Sequence, residues 1–102
     1  MFRLLILDET PGAGLFFREI LELDGDRFDV RTAEEKTAAE MSVKEEKPDL
    51  MIVSADSEKC LSALKSLQQK KICPPFVIIG KSIDEKQAEI KKLKAIDEIK
   101  LP

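Results

Sequence analysis

The sequence predicts an α/β fold built on a doubly wound, five-stranded parallel sheet, and three observations predict it. Apolar runs at Leu4-Leu5-Ile6-Leu7, Leu50-Met51-Ile52-Val53 and Phe76-Val77-Ile78-Ile79 carry no polar side chain on either face, as strands buried between two layers do. Segments with helical apolar spacing lie between them and are long enough to act as crossovers. Turn residues punctuate the joins, with Pro48-Asp49 before one run, Pro74-Pro75 before another and Gly80 behind it.

Taken in order, the first strand ends in Asp8-Glu9, which sets two carboxylates at its carboxyl end. Thr10 can cap the helix that follows, with Pro11 at its first position, and Phe16, Phe17, Ile20, Leu21 and Leu23 keep helical spacing from Ala13 onward. Gly25 supplies the left-handed stop. Phe28, Val30 and Thr32 alternate with Asp29 and Arg31, the pattern of a strand near a sheet edge.

Glu34 to Glu46 reads as a charged helix with a thin seam of Ala38, Ala39, Met41 and Val43, ended by Pro48. After Ser54, either Asp56 or Ser57 can cap a helix that shows Cys60, Leu61, Leu64 and Leu67 on one face. Ser82 with Glu85 has the spacing of a capping box for a helix through Leu93, with Ile83, Ile90 and Leu93 inward. Ile99 and Leu101 flank Lys100 in a last short strand before Pro102.

The resulting order is β-α-β-α-β-α-β-α-β. Right-handed crossovers then give the flavodoxin-like strand order 2-1-3-4-5, with strands one and three adjacent at the switch point. Ligands of open parallel sheets bind outside the carboxyl ends of the strands at that point, so Asp8, Glu9 and Ser54 are expected to converge on one crevice.

The totals narrow the function. A chain of 102 residues is one domain, residues 1–102. Seventeen basic against twenty acidic residues give a net charge of -3 with the signs interleaved, which argues against a nucleic-acid footprint. No apolar run reaches membrane-spanning length and no signal peptide precedes the first strand, so Cys60 and Cys73 are expected as reduced thiols in the cytoplasm. With no histidine there is no zinc site and no imidazole base, and most enzyme classes weaken.

In Leu5-Ile6-Leu7-Asp8-Glu9, Val30-Arg31-Thr32-Ala33, Pro48-Asp49-Leu50-Met51-Ile52-Val53, Pro75-Phe76-Val77-Ile78-Ile79 and the final Pro102, the chain resembles a bacterial response-regulator receiver domain over nearly its whole length. The resemblance implies an acidic pair that helps hold Mg²⁺, an aspartate ending the third strand that takes phosphoryl from a histidine kinase, and a hydroxyl and a lysine on strands four and five that read it. Asp8 and Glu9 match the pair, but Ser54 stands at the phospho-acceptor position, Gly80 at the hydroxyl position and Leu101 at the lysine position. A serine hydroxyl is a weak nucleophile without a base and offers no charge to a hard cation. Lys100 cannot replace Leu101 by a one-residue shift, because neighbouring strand residues point to opposite faces.

The expectation is therefore a degenerate, phosphorylation-independent pseudo-receiver, not an enzyme, that works by contact with a partner protein or a fused output domain. The resemblance also leads one to expect a fifth helix after Pro102, which this chain lacks, so that another domain or subunit is expected over that face. Asp56, two residues past Ser54, is the rival phospho-acceptor in an active Mg²⁺-dependent alternative, against its plainer role as a helix cap. A purely structural dimerisation domain is the third reading. Asp8 and Glu9 are the candidate Mg²⁺ ligands, weighed against a solvated acidic pair. Lys91, Lys92 and Ile99 are the candidate partner surface, since receiver-like proteins commonly bind or dimerise through the face made by the fourth helix and fifth strand; the Lys86, Lys91, Lys92 and Lys94 set otherwise reads as a solvated helix face.

Overall fold

The computed structural model describes residues 2–9, 19 and 27–101. Along them run β1 (Phe2–Leu7), β2 (Phe28–Ala33), α1 (Lys36–Glu46), β3 (Leu50–Ser54), α2 (Glu58–Gln69), β4 (Phe76–Gly80), a 3-10 turn (Asp84–Lys86) leading into α3 (Gln87–Leu93), and β5 (Asp97–Lys100). The helix expected from Ala13 to Leu23, with its Thr10 cap and Gly25 stop, lies outside the described residues apart from Glu19.

The strands pair in parallel in the order β2-β1-β3-β4-β5, the expected topology. Register explains why the three apolar runs read as they do. Leu5 pairs with Met51 and Met51 with Phe76, while Leu7 pairs with Val53 and Val53 with Ile78, so six large apolar side chains share one face. That face packs against Ala39 and Val43 of α1, Leu61, Leu64 and Leu67 of α2, and Ile90 and Leu93 of α3 in one continuous core. Each such side chain contributes about 1.5–3 kcal/mol when taken out of water.

On the opposite face Leu4, Ile6 and Val30 form a second buried cluster, flanked by Phe28, Leu50 and Ile52. Burial thins towards β5, all of whose residues are exposed, and Ile99 is 46% accessible. β2 is the other edge, as its alternating pattern required.

Local chemistry fixes the helix starts. The Glu35 carboxylate caps α1 by accepting from the N–H groups of Ala38 at 2.8 Å and Thr37 at 3.1 Å. At α2 it is Ser57 that caps, its Oγ accepting from the Cys60 N–H at 3.2 Å, which settles the choice between Asp56 and Ser57. Met41 does not join the α1 seam. It sits two residues, about 200° of helical turn, from the buried Ala39 and is exposed.

Candidate functional site

β3 delivers Ser54 to the carboxyl edge of the sheet, where it is buried. Continuing the Leu7–Val53 register by one residue sets Asp8 level with Ser54, and the Asp8 N–H donates to the Ala33 carbonyl at 3.0 Å. Asp8 is half-buried and Glu9 is exposed. Strand register thus sets Asp8 beside Ser54 and does not extend to Glu9. Gly80 closes β4 on the same edge, and its carbonyl accepts from the Leu101 N–H at 2.9 Å.

The residue that organises this edge is Asp56. Its Oδ1 accepts from the Ser82 Oγ at 2.6 Å, the Ser82 N–H at 2.8 Å and the Lys81 N–H at 3.1 Å, and its Oδ2 accepts from the Lys81 N–H at 2.9 Å. Both carboxylate oxygens are thus committed to the connection that leaves β4. Burial disfavours the charged form here, but the hydrogen bonds from Ser82 and Lys81 and the positive charge of Lys86 outweigh it and hold the carboxyl below the usual aspartate range.

The capping box expected of Ser82 and Glu85 does not form. The Ser82 hydroxyl donates to Asp56, and the turn that begins at Asp84 has no side-chain cap. A carboxylate is a stronger acceptor for that hydroxyl than any neutral group near it, so the local sequence signal loses to a contact 26 residues away.

The sequence groups Lys86 with a solvated helix face, yet it turns inward. Its Nζ donates to the Ala55 carbonyl at 2.8 Å and to Glu58 Oε1 at 2.9 Å. The cation of this edge therefore comes from the start of α3 rather than from β5. Lys100 turns the other way and pairs with Asp84. Cys60 also belongs here. Burial pushes its thiol up, and the nearby Asp8 and Glu9 charges add to that rise, against hydrogen bonds from Ser57 and the Glu9 backbone.

The donor set suits Mg²⁺ poorly. A hard dication wants several oxygen ligands with carboxylate charge among them, whereas the residue beside Asp8 in register, Ser54, supplies only an alcohol, and the Asp56 carboxylate is engaged by Lys81 and Ser82. Among the described residues, no three His, Cys, Asp or Glu side chains are grouped as metal ligands.

Fold and edge together describe a parallel α/β module with Ser54, Asp8 and Gly80 at the carboxyl ends of its central strands. This is the fold of response-regulator receiver domains. A response regulator from Thermotoga maritima superposes on the whole chain with a TM-score of 0.77 at 23% identity, the match covering 86% of its length. The receiver domain of a Francisella response regulator gives 0.80 at 20% identity, covering 100% of this chain and 85% of that one. The response regulator TrrA of Thermotoga maritima, solved with Mg²⁺ and BeF, gives 0.78 at 18% identity, covering 100% of this chain and 88% of that one. No protein-family model and no curated protein matches the sequence.

Proposed function

We propose that this chain is a receiver-type signalling module of a two-component regulator that works without phosphorylation, by protein–protein contact, rather than as an enzyme. The observation that carries the reading is the state of Asp56. The carboxylate nearest the end of β3 already bridges to Lys81 and Ser82 through both oxygens, while β3 itself ends in the alcohol of Ser54. Phosphoryl transfer to Asp56 would draw negative charge away from the hydrogen bonds that Lys81 and Ser82 donate to it and so oppose the contact, and Ser54 has no histidine to take its proton.

Gly80 and Leu101 stand where the resemblance places a hydroxyl and a lysine, so neither can read a phosphoryl group. The module is then a fixed surface for a partner protein or output domain of a larger regulator, in the cytoplasm, with no Mg²⁺ requirement.

The test is direct. Adding beryllofluoride or acetyl phosphate with Mg²⁺ to isotope-labelled protein is expected to leave the amide signals of Ser54, Asp56 and Lys81 in place, with no mass increase. A phospho-adduct that disappears in Asp56→Asn would establish the opposite reading, an active receiver cycle through Asp56.

A further inference from the structure

The amino-terminal edge of the sheet, at the far end from Ser54, holds two adjoining clefts of about 560 and 320 Å³ that share Pro74. Their apolar lining includes Pro48, Ile72, Pro74 and Ile96, and Ile96 is 66% accessible. Five lysines, Lys44, Lys47, Lys71, Lys92 and Lys94, stand along them, all exposed, with no carboxylate among the described lining residues. In a chain of net charge -3 this is a local reversal of sign.

Backbone geometry marks the same track. Among the described residues, Lys47, Lys71 and Lys94 are the non-glycine residues with left-handed φ, at 48°, 60° and 60°. Glycine adopts that conformation freely and is the ordinary residue where a helix stops this way, whereas a lysine is strained there. Cations at helix carboxyl ends do complement the helix dipole. That accounts for the charge but not for an open Ile96 and the apolar floor of Pro48, Ile72 and Pro74 between the lysines.

We propose that this track docks an extended acidic segment of a partner protein, with carboxylates on the lysines and an apolar side chain seated against Pro74 and Ile96. Charge complementarity selects an acidic partner, and the apolar floor selects a peptide over a nucleic acid. Phe76, the aromatic residue of the lining, is buried and offers no open ring on which a base would stack. Of the residues first read as a partner surface, Lys92 belongs to this track, while Lys91 and Ile99 do not line it. The inference rests on the contact part of the proposed function and not on its phosphorylation part.

The test is a titration of labelled protein with the acetylated, amidated hexapeptide Glu-Glu-Leu-Glu-Glu-Leu, followed by amide shifts, without any phosphodonor. Saturating shifts are expected around residues 44–48, 71–76 and 92–96, and none with the same peptide carrying Lys for Glu. The double variant Lys71→Gly/Lys94→Gly removes two charges and places glycine at two left-handed positions. It is expected to keep or raise Tm while weakening binding at least tenfold, which a purely structural role for these lysines would not produce. Ile96→Ser is expected to weaken binding severalfold with an unchanged salt dependence. Absence of saturating shifts along the track, or binding undiminished in the double variant, overturns the proposal. So does equal binding by a ten-nucleotide thymidine oligomer that Ile96→Ser leaves intact, which would make the track a phosphate-binding surface. None of these outcomes bears on whether Asp56 takes up a phosphoryl group.

Discussion

Gly80 leaves open the space that Asp56 fills. A Cβ built on Gly80 would lie 3.1 Å from Asp56 Oδ1, 3.2 Å from Asp56 Cγ and 3.1 Å from the Ala55 Cβ. The absence of a side chain at the end of β4 and the presence of a carboxylate two residues past β3 are thus one packing solution. A threonine or serine at position 80 would meet the carboxylate that now holds Lys81 and Ser82.

Gly80→Thr is accordingly expected to displace Asp56 from the β4 connection and to destabilise the fold by about 1–3 kcal/mol, the usual cost of overpacking. Gly80→Ala, whose single methyl needs a shift of a few tenths of an ångström, is expected at the low end of that range. Urea midpoints give the magnitude, and the amide signals of Lys81 and Ser82 report whether the carboxylate has left.

Asp56→Asn keeps the shape of the side chain but removes the charge from its hydrogen bonds. The site is partly open to water, so the loss is expected to be about 1 kcal/mol at pH 7. Its pH dependence follows from the lowered native pKa. The contribution is fully present above the ordinary aspartate value of 3.8 and is lost as pH falls through the lower native value. The difference in urea midpoint between wild type and Asp56→Asn is therefore constant from pH 7 to about pH 5 and closes below 3.8; a difference that widened on acidification would contradict the geometry.

The elements that were legible in the sequence are those specified by local periodicity. Leu50 to Val53 reads as a central strand of a parallel sheet because it is one, with Met51 and Val53 buried on one face and Leu50 and Ile52 half-buried on the other, and the Leu61, Leu64 and Leu67 spacing names the inner face of α2 without reference to anything distant. The candidate site was legible only as positions. Ser54, Gly80 and Asp8 could be placed by counting, but the capping role open to Asp56 falls to Ser57, and its carboxylate joins Lys81 and Ser82 instead. What decided it were donors 25 and 26 residues away, which no window of sequence contains. Lys86 misled for the same reason. Its charge and spacing fit an outer helix face, and the short 3-10 turn at Asp84–Lys86 swings its ammonium in to Ala55. The Glu35 cap escaped notice because glutamate, one methylene longer than the usual capping residues, carries no capping signal of its own.

Leu64 sits at the middle of the larger core with no exposed surface, between the sheet and the inner faces of the helices. Leu64→Ala is expected to cost about 2–5 kcal/mol through lost transfer energy and the cavity left behind. Domains of this size hold only about 5–15 kcal/mol in total, so the variant should show a markedly lower urea midpoint with an unchanged slope. Met41→Ala, on the exposed side of α1, serves as the contrast and is expected to shift the midpoint little.

Cys73 is half-buried beside Pro74, its thiol donating to the Pro74 carbonyl at 3.3 Å, and burial pushes its pKa up to about 11. The thiolate, which is the reactive form, then makes up only about 1 part in 10⁴ at pH 7, against a few per cent for an ordinary cysteine. Cys60 is shut off more completely, with no accessible surface. Native protein is therefore expected to take up iodoacetamide at pH 7 at least a hundredfold more slowly than protein unfolded in urea. The first alkylation should fall on Cys73, with a rate that climbs steadily as pH approaches 11. Mass spectrometry of the alkylated protein, followed by proteolytic mapping, checks both the rate and the order. Rapid native labelling of Cys60 ahead of Cys73 would mean that α2 opens from the sheet far more readily than its buried face of Leu61, Leu64 and Leu67 allows.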